Sequence, residues 1–187
     1  MEHQRLFISI PIDQLLAKKI NKDLALLDLP KSRLKFTKLE NFHLTIKFLG
    51  DTPIDNLDEI IKNLDLAHQN VEAFELEIEK TQIFPENEPD QTPRVLSLGF
   101  KKNEQLQKLY NSIEEQLWQV GLAHKEVRNF TPHLTLAKVY PGVKRKDLQS
   151  FLDWQVHGLS YVDHFELQES VLQKGGPQYT VLNTFDL

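Results

Sequence analysis

The segments FHLTIKFLG at 42–50 and PHLTLAKVY at 132–140 share one short pattern, His-x-Thr-x, with an aliphatic residue at each x. Side chains alternate along a β-strand, so each histidine shares a face with the threonine two residues later, and the aliphatic residues share the other face. Each copy therefore predicts a strand that buries its aliphatic face. The opposite face presents an imidazole and a hydroxyl about 7 Å apart.

The sequence before each copy carries the same order of predicted elements. A short apolar strand at 6–10 and an amphipathic helix at 13–27 precede the first copy. A strand at 94–100 and an amphipathic helix at 103–120 precede the second copy at nearly equal spacing. We infer an old duplication that produced two facing lobes, each with one copy of the motif.

The rest of the chain adds further short elements of both kinds. The predicted strands are 35–39, 42–49, 74–79, 134–140, 164–172 and 179–185, and the predicted helices are 54–67 and 146–151. Pro85, Pro89 and Pro93 predict an exposed loop between Phe84 and Pro93 that joins the halves. The order predicts an α+β fold in a single bilobal domain over 1–187. Its approximate lobes are 1–90 and 91–187, and the terminal strands are free to cross between them.

The composition is that of one folded globular domain and excludes several kinds of chemistry. The chain has 187 residues and no cysteine, which excludes disulfides, thiolate metal sites and cysteine nucleophiles. Its 22 basic and 27 acidic residues give a net charge of −5. That charge disfavours a protein that coats long nucleic acid, but it allows a small phosphorylated substrate. The apolar segment at 6–10 is too short for a signal peptide or a membrane span, so we expect a cytoplasmic protein.

Two imidazoles that face each other across a cleft suit an in-line displacement at phosphorus. One imidazole can accept a proton from the attacking oxygen while the other donates a proton to the leaving oxygen, and histidine can do both near neutral pH. The two threonine hydroxyls can donate hydrogen bonds to the non-bridging oxygens, where negative charge accumulates. This chemistry requires no metal, and a strained five-membered cyclic phosphate fits it better than an unactivated diester.

A single His-x-Thr-x on a strand is ordinarily structural, and the duplication is what favours a functional interpretation. The remaining histidines have no ligand spacing, so a zinc hydrolase is not supported. They are His3, His68, His124, His157 and His164. The sequence also lacks a Walker A loop and a GxGxxG motif.

The paired motifs resemble the signature of the 2H phosphoesterase superfamily, and the flanking sequence is similar to its RNA 2′,3′-cyclic phosphodiesterase branch, also called 2′-5′ RNA ligase. The matching segments are Leu6-Phe7, 41–50, 93–96, 130–138 and 167–170. The resemblance implies a bilobal α+β fold with two pseudo-symmetric antiparallel sheets, flanked by helices, around a central cleft. It also implies hydrolysis of a terminal 2′,3′-cyclic phosphate to a 2′-phosphate without metal or other cofactor, with 2′-5′ ligation as the related reverse reaction.

The resemblance also assigns roles to the motif residues. It implies that His43 is the proton donor to the 3′ oxygen and His133 the proton acceptor that activates water, while Thr45 and Thr135 bind the phosphate. The residues alone leave the order of the two histidines open, because the motifs are symmetric and the roles exchange in the reverse reaction.

Three further residues are candidate substrate contacts: Lys47, Phe130 and Lys138. Lys47 has the strand parity of His43, although a solvated lysine explains it equally well. Lys138 has the opposite parity to His133 and needs a twist or bulge to reach the cleft. Many relatives have arginine at the position of Lys138 and tryptophan at that of Phe36. The lysine therefore loses a bidentate phosphate contact.

The expected partners are RNA 3′ ends, or short oligonucleotides and nucleotides with a cyclic phosphate, bound by a monomer without membrane or protein partners. A local basic edge could offset the net negative charge. Its candidate residues are Lys35, Lys38, Lys47, Arg94, Arg128 and Lys138. Two alternatives remain open. One is a 2H phosphoesterase for another small substrate, such as 2′-5′ oligoadenylate, a cyclic nucleotide or ADP-ribose phosphate, and the other is a non-catalytic module that binds RNA ends.

Overall fold

The computed structural model of the chain describes residues 2–86 and 92–187. Its strands are β1 (His3–Pro11), β2 (Leu34–Phe36), β3 (His43–Pro53), β4 (Phe74–Phe84), β5 (Val95–Phe100), β6 (His133–Val139), β7 (Leu159–Val162), β8 (His164–Gln173) and β9 (Gly176–Asp186). Its helices are α1 (Gln14–Leu26), α2 (Leu57–Ala67), α3 (Glu104–Gln119) and the short α4 (Gln149–Leu152). The predicted α+β class is confirmed.

The strands form an antiparallel sheet in the order β7-β4-β5-β6-β3-β1-β8-β9, with β2 paired to β6 outside this path. The two motif strands, β3 and β6, are neighbours at the centre, where Leu44 lies opposite Leu134. The two halves of the sheet therefore join at the motifs. Each half also receives strands from the other half of the chain, because β4 pairs with β5 and β7, while β8 pairs with β1.

Helix starts and strand alternation follow the sequence closely. Asp13 precedes α1, and its carboxylate accepts hydrogen bonds from the backbone N–H groups of Leu15 and Leu16 at 2.9 and 3.0 Å. Asn103 caps α3 in the same way. The aliphatic residues of both motifs are buried in the core, as the alternation predicts: Leu44, Ile46, Leu134 and Leu136.

A β-bulge follows the threonine of the first motif. Ser9 of β1 lies opposite Thr45, but the preceding residue Ile8 lies opposite Lys47, so Ile46 is an extra residue in β3. A bulge of this kind reverses the alternation of side chains beyond it. Lys47 is consequently buried, and Phe48 is exposed on the side that carries His43.

The second motif has the same irregularity at the equivalent residue. Ser97 of β5 lies opposite Thr135 and the preceding residue Leu96 lies opposite Ala137, which leaves Leu136 as the extra residue in β6. The residue five positions after each motif histidine, Phe48 or Lys138, is therefore turned to the histidine side.

Two segments differ from the sequence-based expectation. The strand predicted over 35–39 ends at Phe36, because a 3₁₀ turn forms at Leu39–Asn41. Strand β7, a half-exposed edge strand next to β4, was not predicted. Of the predicted loop between Phe84 and Pro93, residues 87–91 lie outside the described part of the chain.

Candidate active site

A cleft of about 520 Å³ lies over the central strands β3 and β6. Four side chains from the two motifs line it: His43, Thr45, His133 and Thr135. The motif strands are antiparallel and meet at Leu44, so the two His-Thr pairs run in opposite directions across the cleft floor. The fold thus brings together residues that the sequence separates widely.

The two imidazoles are held by matching backbone contacts. Nδ1 of His43 lies 2.8 Å from the carbonyl oxygen of Asn41, and Nδ1 of His133 lies 2.8 Å from that of Thr131. A carbonyl oxygen only accepts hydrogen bonds, so Nδ1 is the nitrogen that carries hydrogen in both rings. Nε2 of each ring is then the atom left for proton transfer, and Nε2 of His43 lies 3.0 Å from Oγ1 of Thr45.

Aromatic side chains form one wall of the cleft around His43. The rings of Phe7 and Tyr179 lie 5.2 and 5.4 Å from the imidazole between centroids. Phe48 packs 6.2 Å from Phe7, and 71% of its surface is exposed. This wall surrounds the His43 imidazole with apolar rings. It also leaves the ring of Phe48 exposed in the cleft.

Burial in this environment lowers the pKa of His43 below its ordinary value. The hydrogen bond to the Asn41 carbonyl opposes this effect, and repulsion by protonated His133 adds to it. The neutral form of His43 is therefore favoured in the folded protein with an empty cleft.

The cleft has positive charge although the whole chain is acidic. Four basic side chains line it: Arg5, Lys35, Lys38 and Lys138. Within the described ranges, no aspartate or glutamate is part of the lining. Local positive charge of this kind attracts anionic substrates. Three of the basic residues expected here lie elsewhere: Lys47, Arg94 and Arg128.

The prediction that Lys47 shares the face of His43 is wrong. Its ammonium forms an ion pair with the carboxylate of Glu114 in α3 and donates to the carbonyl oxygen of His124 at 2.9 Å. Lys47 and Glu114 are each 8% exposed. The reason is the bulge at Ile46, which turns Lys47 away from the cleft and towards α3.

Of the other two candidate substrate contacts, Lys138 lines the cleft and Phe130 does not. The ring of Phe130 stacks on Tyr110 of α3 at 4.2 Å, with 7° between the planes, and Phe130 does not line the cleft. Lys138 does line the cleft, because the bulge at Leu136 reverses its parity.

Sequence reasoning missed Arg5 and Tyr179 in the cleft lining, and unbroken strand alternation would place Phe48 on the core face together with Leu44. Arg5 and Phe7 alternate on β1 and thus share a face, which is a signal that could have identified Arg5. Tyr179 belongs to β9, and no local pattern links that strand to the motifs.

In residues 2–86 and 92–187, no group of three or more His, Cys, Asp or Glu side chains is placed to hold a metal ion. Among the helices described, none combines the length and the apolar run that a membrane span requires.

Comparisons with known proteins agree on one family. The sequence model of the 2′-5′ RNA ligase superfamily matches residues 30–170. The RNA 2′,3′-cyclic phosphodiesterase of Archaeoglobus fulgidus is 29% identical over 97% of this chain and 99% of its own length. The protein of the same name from Aquifex aeolicus is 30% identical over 91% of this chain and 89% of its own length.

Solved structures show the same fold. The Thermus thermophilus protein TT0787 superposes with a TM-score of 0.85 at 24% identity, over 98% of this chain and 97% of that one. E. coli LigT complexed with 3′-AMP has a TM-score of 0.79 at 23% identity, over 100% of this chain and 99% of that one. With the sequence match over residues 30–170, these likenesses show that the chain belongs to the 2′-5′ RNA ligase superfamily.

Proposed function

We propose that this protein hydrolyses the 2′,3′-cyclic phosphate at an RNA 3′ end and produces a 2′-phosphate. The observation that carries the proposal is the pair of imidazoles and the pair of hydroxyls that line one cleft, with both Nδ1 atoms bonded to carbonyls. Relatives named RNA 2′,3′-cyclic phosphodiesterase support this substrate. The basic lining supports an anionic ligand.

In the proposed mechanism, the cyclic phosphate lies between the two imidazoles. Nε2 of His133 accepts a proton from water as the water oxygen attacks phosphorus. The bond from phosphorus to the 3′ oxygen breaks, and Nε2–H of His43 gives its proton to that oxygen. The products are a 2′-phosphomonoester and a 3′-hydroxyl, and exchange with solvent returns the two histidines to their starting protonation states. This assignment of roles follows the family resemblance.

Charge that develops on the non-bridging oxygens is stabilised by donors already in the cleft. The hydroxyls of Thr45 and Thr135 and the ammonium of Lys138 supply these donors, so the proposed reaction needs no metal ion. Ring strain in the five-membered phosphate makes the phosphorus a good electrophile. With a 5′-hydroxyl in place of water, the same displacement would create a 2′-5′ linkage.

The aromatic wall supports a nucleotide rather than a simple phosphate ester as the substrate. Phe48 is exposed within the cleft and packs against Phe7, whose ring contacts the imidazole that we assign to the 3′ oxygen. Bases stack on exposed aromatic rings in proteins that bind single-stranded RNA. We place the terminal base on this side of the cleft.

The test is incubation of the purified protein with EDTA and a short RNA that ends in a 2′,3′-cyclic phosphate, with the product followed by phosphorus NMR. We expect a 2′-phosphate from the wild type and no detectable product from the His133→Ala variant over the same incubation. A 3′-phosphate, or no turnover by a folded wild-type protein, would contradict the proposed reaction. Activity that EDTA abolishes would contradict metal independence alone.

The low pKa of His43 predicts the pH dependence of the reaction. The mechanism needs His43 protonated and His133 neutral in the free enzyme, so kcat/KM should be bell-shaped in pH, and the His43 ring itself should titrate with a midpoint below about 6.5. The measurement is kcat/KM between pH 5 and 8, together with an NMR titration of the His43 ring. In the His133→Ala variant the pKa of His43 should rise, because one source of repulsion is removed.

The same shift affects stability in a defined direction. The unfolded chain binds a proton at His43 more readily than the folded chain, so this histidine makes the fold lose stability as the pH falls below about 6.5. A wild-type midpoint above 6.5 in the NMR titration would contradict both expectations.

The threonine hydroxyls should matter less than the imidazoles. Thr45→Val and Thr135→Val each remove one hydrogen-bond donor while keeping the shape of the side chain. We expect each to cost on the order of 1–3 kcal/mol of transition-state stabilisation, measured as the change in kcat/KM. The matched controls are Thr45→Ser and Thr135→Ser, which keep the hydroxyl and should keep most of the activity. Equal losses in the valine and serine variants would show that the methyl group matters and not the hydroxyl.

A further inference from the structure

Lys35 of β2 and Lys138 of β6 lie directly opposite each other in the antiparallel register. Like charges in this position repel and destabilise strand pairing. Both side chains line the cleft, and within the described ranges neither has an ion pair with a carboxylate, whereas the nearby Lys38 lies 3.7 Å from Glu40. The fold thus places two lysines without a carboxylate partner at directly opposite strand positions in the cleft lining.

Lys35 lies in the cleft lining close to the turn between β8 and β9. Its Nζ lies 3.7 Å from the point that a Cβ on Gly176 would occupy, and Gly176 has a φ of +127°. Lys35 lines the same cleft of about 520 Å³ as His43. The RNA chain that leads to a nucleotide held at His43 can therefore pass close to Lys35 within this cleft.

One cyclic phosphodiester has a single negative charge, and the motif residues with Lys138 already account for it. Lys35 adds a cation that this charge does not require, and it is set beside Lys138 at the cost of repulsion. A second anion at Lys35 offsets that repulsion. In an RNA end, the next anion available is the phosphodiester on the 5′ side of the terminal nucleotide.

We propose that Lys35 binds this penultimate phosphodiester, while Lys138 contacts the cyclic phosphate, so that the protein acts on RNA ends in preference to free cyclic mononucleotides. The inference rests on the proposed function for its substrate and names a contact outside the two motifs. Lys35 acts in binding and takes no part in the proton transfers.

The experiment uses two RNAs of the same sequence that both end in a 2′,3′-cyclic phosphate. In one, the penultimate linkage is the natural phosphodiester, and in the other it is an uncharged methylphosphonate. For the wild type we expect kcat/KM to be about tenfold or more higher with the charged linkage, the usual size of a hydrogen bond to a charged group. In Lys35→Met the ratio of the two values should fall to about one.

Lys31→Met is the matched control, because it removes the same charge from a residue outside the cleft lining, whose ammonium contacts the carbonyl oxygen of Ala25. We expect it to keep the wild-type ratio. Equal rates on the two RNAs with the wild type would overturn the inference and leave the proposed function intact. A ratio in Lys35→Met as high as that in Lys31→Met would overturn it as well.

Binding separates this inference from the proposed reaction. The affinities of two RNAs ending in a 2′-phosphate, with the charged or the uncharged penultimate linkage, can be measured by titration without turnover. We expect the same preference for the charged linkage and the same loss of that preference in Lys35→Met. If the wild type binds with this preference but hydrolyses neither cyclic RNA, the proposed function fails and the Lys35 contact stands. If the preference is absent, the contact fails.

Discussion

His133→Ala should lower kcat/KM on RNA 2′,3′-cyclic phosphate by a factor of roughly 10²–10⁴ while leaving the protein folded. This is the usual size of a general acid–base contribution. The side chain is only partly buried, and its one hydrogen bond within the described residues joins Nδ1 to the carbonyl of Thr131. Since Thr131 is exposed, water can replace that contact at little cost to the free energy of unfolding.

His43→Ala should lower kcat/KM by a factor of the same size. In the proposed mechanism His43 gives a proton to the leaving 3′ oxygen, whereas His133 accepts one from the attacking water. His43 packs against Phe7 and Tyr179, so alanine also leaves a space in the aromatic wall. His43→Gln fills most of that space but cannot transfer a proton, so it should lose as much activity as alanine. The double variant of His43 and His133 should lose little more than either single variant, because the two groups act in one step.

The control for both variants is His157→Ala, which changes an exposed histidine outside the cleft lining and should leave kcat/KM within about twofold of wild type. Circular dichroism and urea unfolding check the fold of each variant. Activity within tenfold of wild type in either His43→Ala or His133→Ala would exclude the two-histidine mechanism.

The strands that carry the motifs could be predicted from the sequence because each has a strict alternation of polar and aliphatic residues. That alternation places Leu44 and Leu134 in the core and the histidines on the opposite face, and the structure shows both. The helices were predictable for a similar reason, since Asp13 and Asn103 are caps that act within one turn. These features depend on interactions between residues close in the sequence.

The two bulges could not be predicted, and they decide which side chains enter the cleft. The residues next to Ile46 and Leu136 include no glycine or proline that would signal a bulge. Each bulge is visible only in the register of pairing with a distant strand, β1 for Ile46 and β5 for Leu136. Beyond them, hydropathy gives the wrong answer: Phe48 is exposed and Lys47 is buried. The same reversal brings Lys138 into the cleft at the position equivalent to Phe48.

Residues from distant strands were also beyond local reasoning. Tyr179 reaches His43 because β9 pairs with β8 and β8 with β1, a chain of contacts that no local pattern encodes. Phe130 was a reasonable candidate for stacking on a base, and it does stack on an aromatic ring. Its partner is Tyr110 of this chain.

A buried network connects the first motif strand to the segment before the second motif. Lys47 joins β3 to Glu114 of α3 and to the carbonyl oxygen of His124. The other carboxylate oxygen of Glu114 accepts the backbone N–H of Glu126 at 2.9 Å. This segment leads to Thr131, whose carbonyl orients the second catalytic imidazole in our proposal.

Lys47→Met should therefore lower the free energy of unfolding by about 3–5 kcal/mol, measured by urea denaturation, because it leaves the carboxylate of Glu114 buried without a partner. Replacement of both residues, Lys47→Met with Glu114→Leu, should recover a large part of that loss, since no buried charge remains. Recovery should be incomplete, because the carbonyl of His124 and the N–H of Glu126 lose their partners. The matched control is Lys101→Met, which breaks an exposed pair with Glu77 and should cost less than about 1 kcal/mol. A loss in Lys47→Met no larger than that in Lys101→Met would show that the pair is hydrated and does not hold the segment in place.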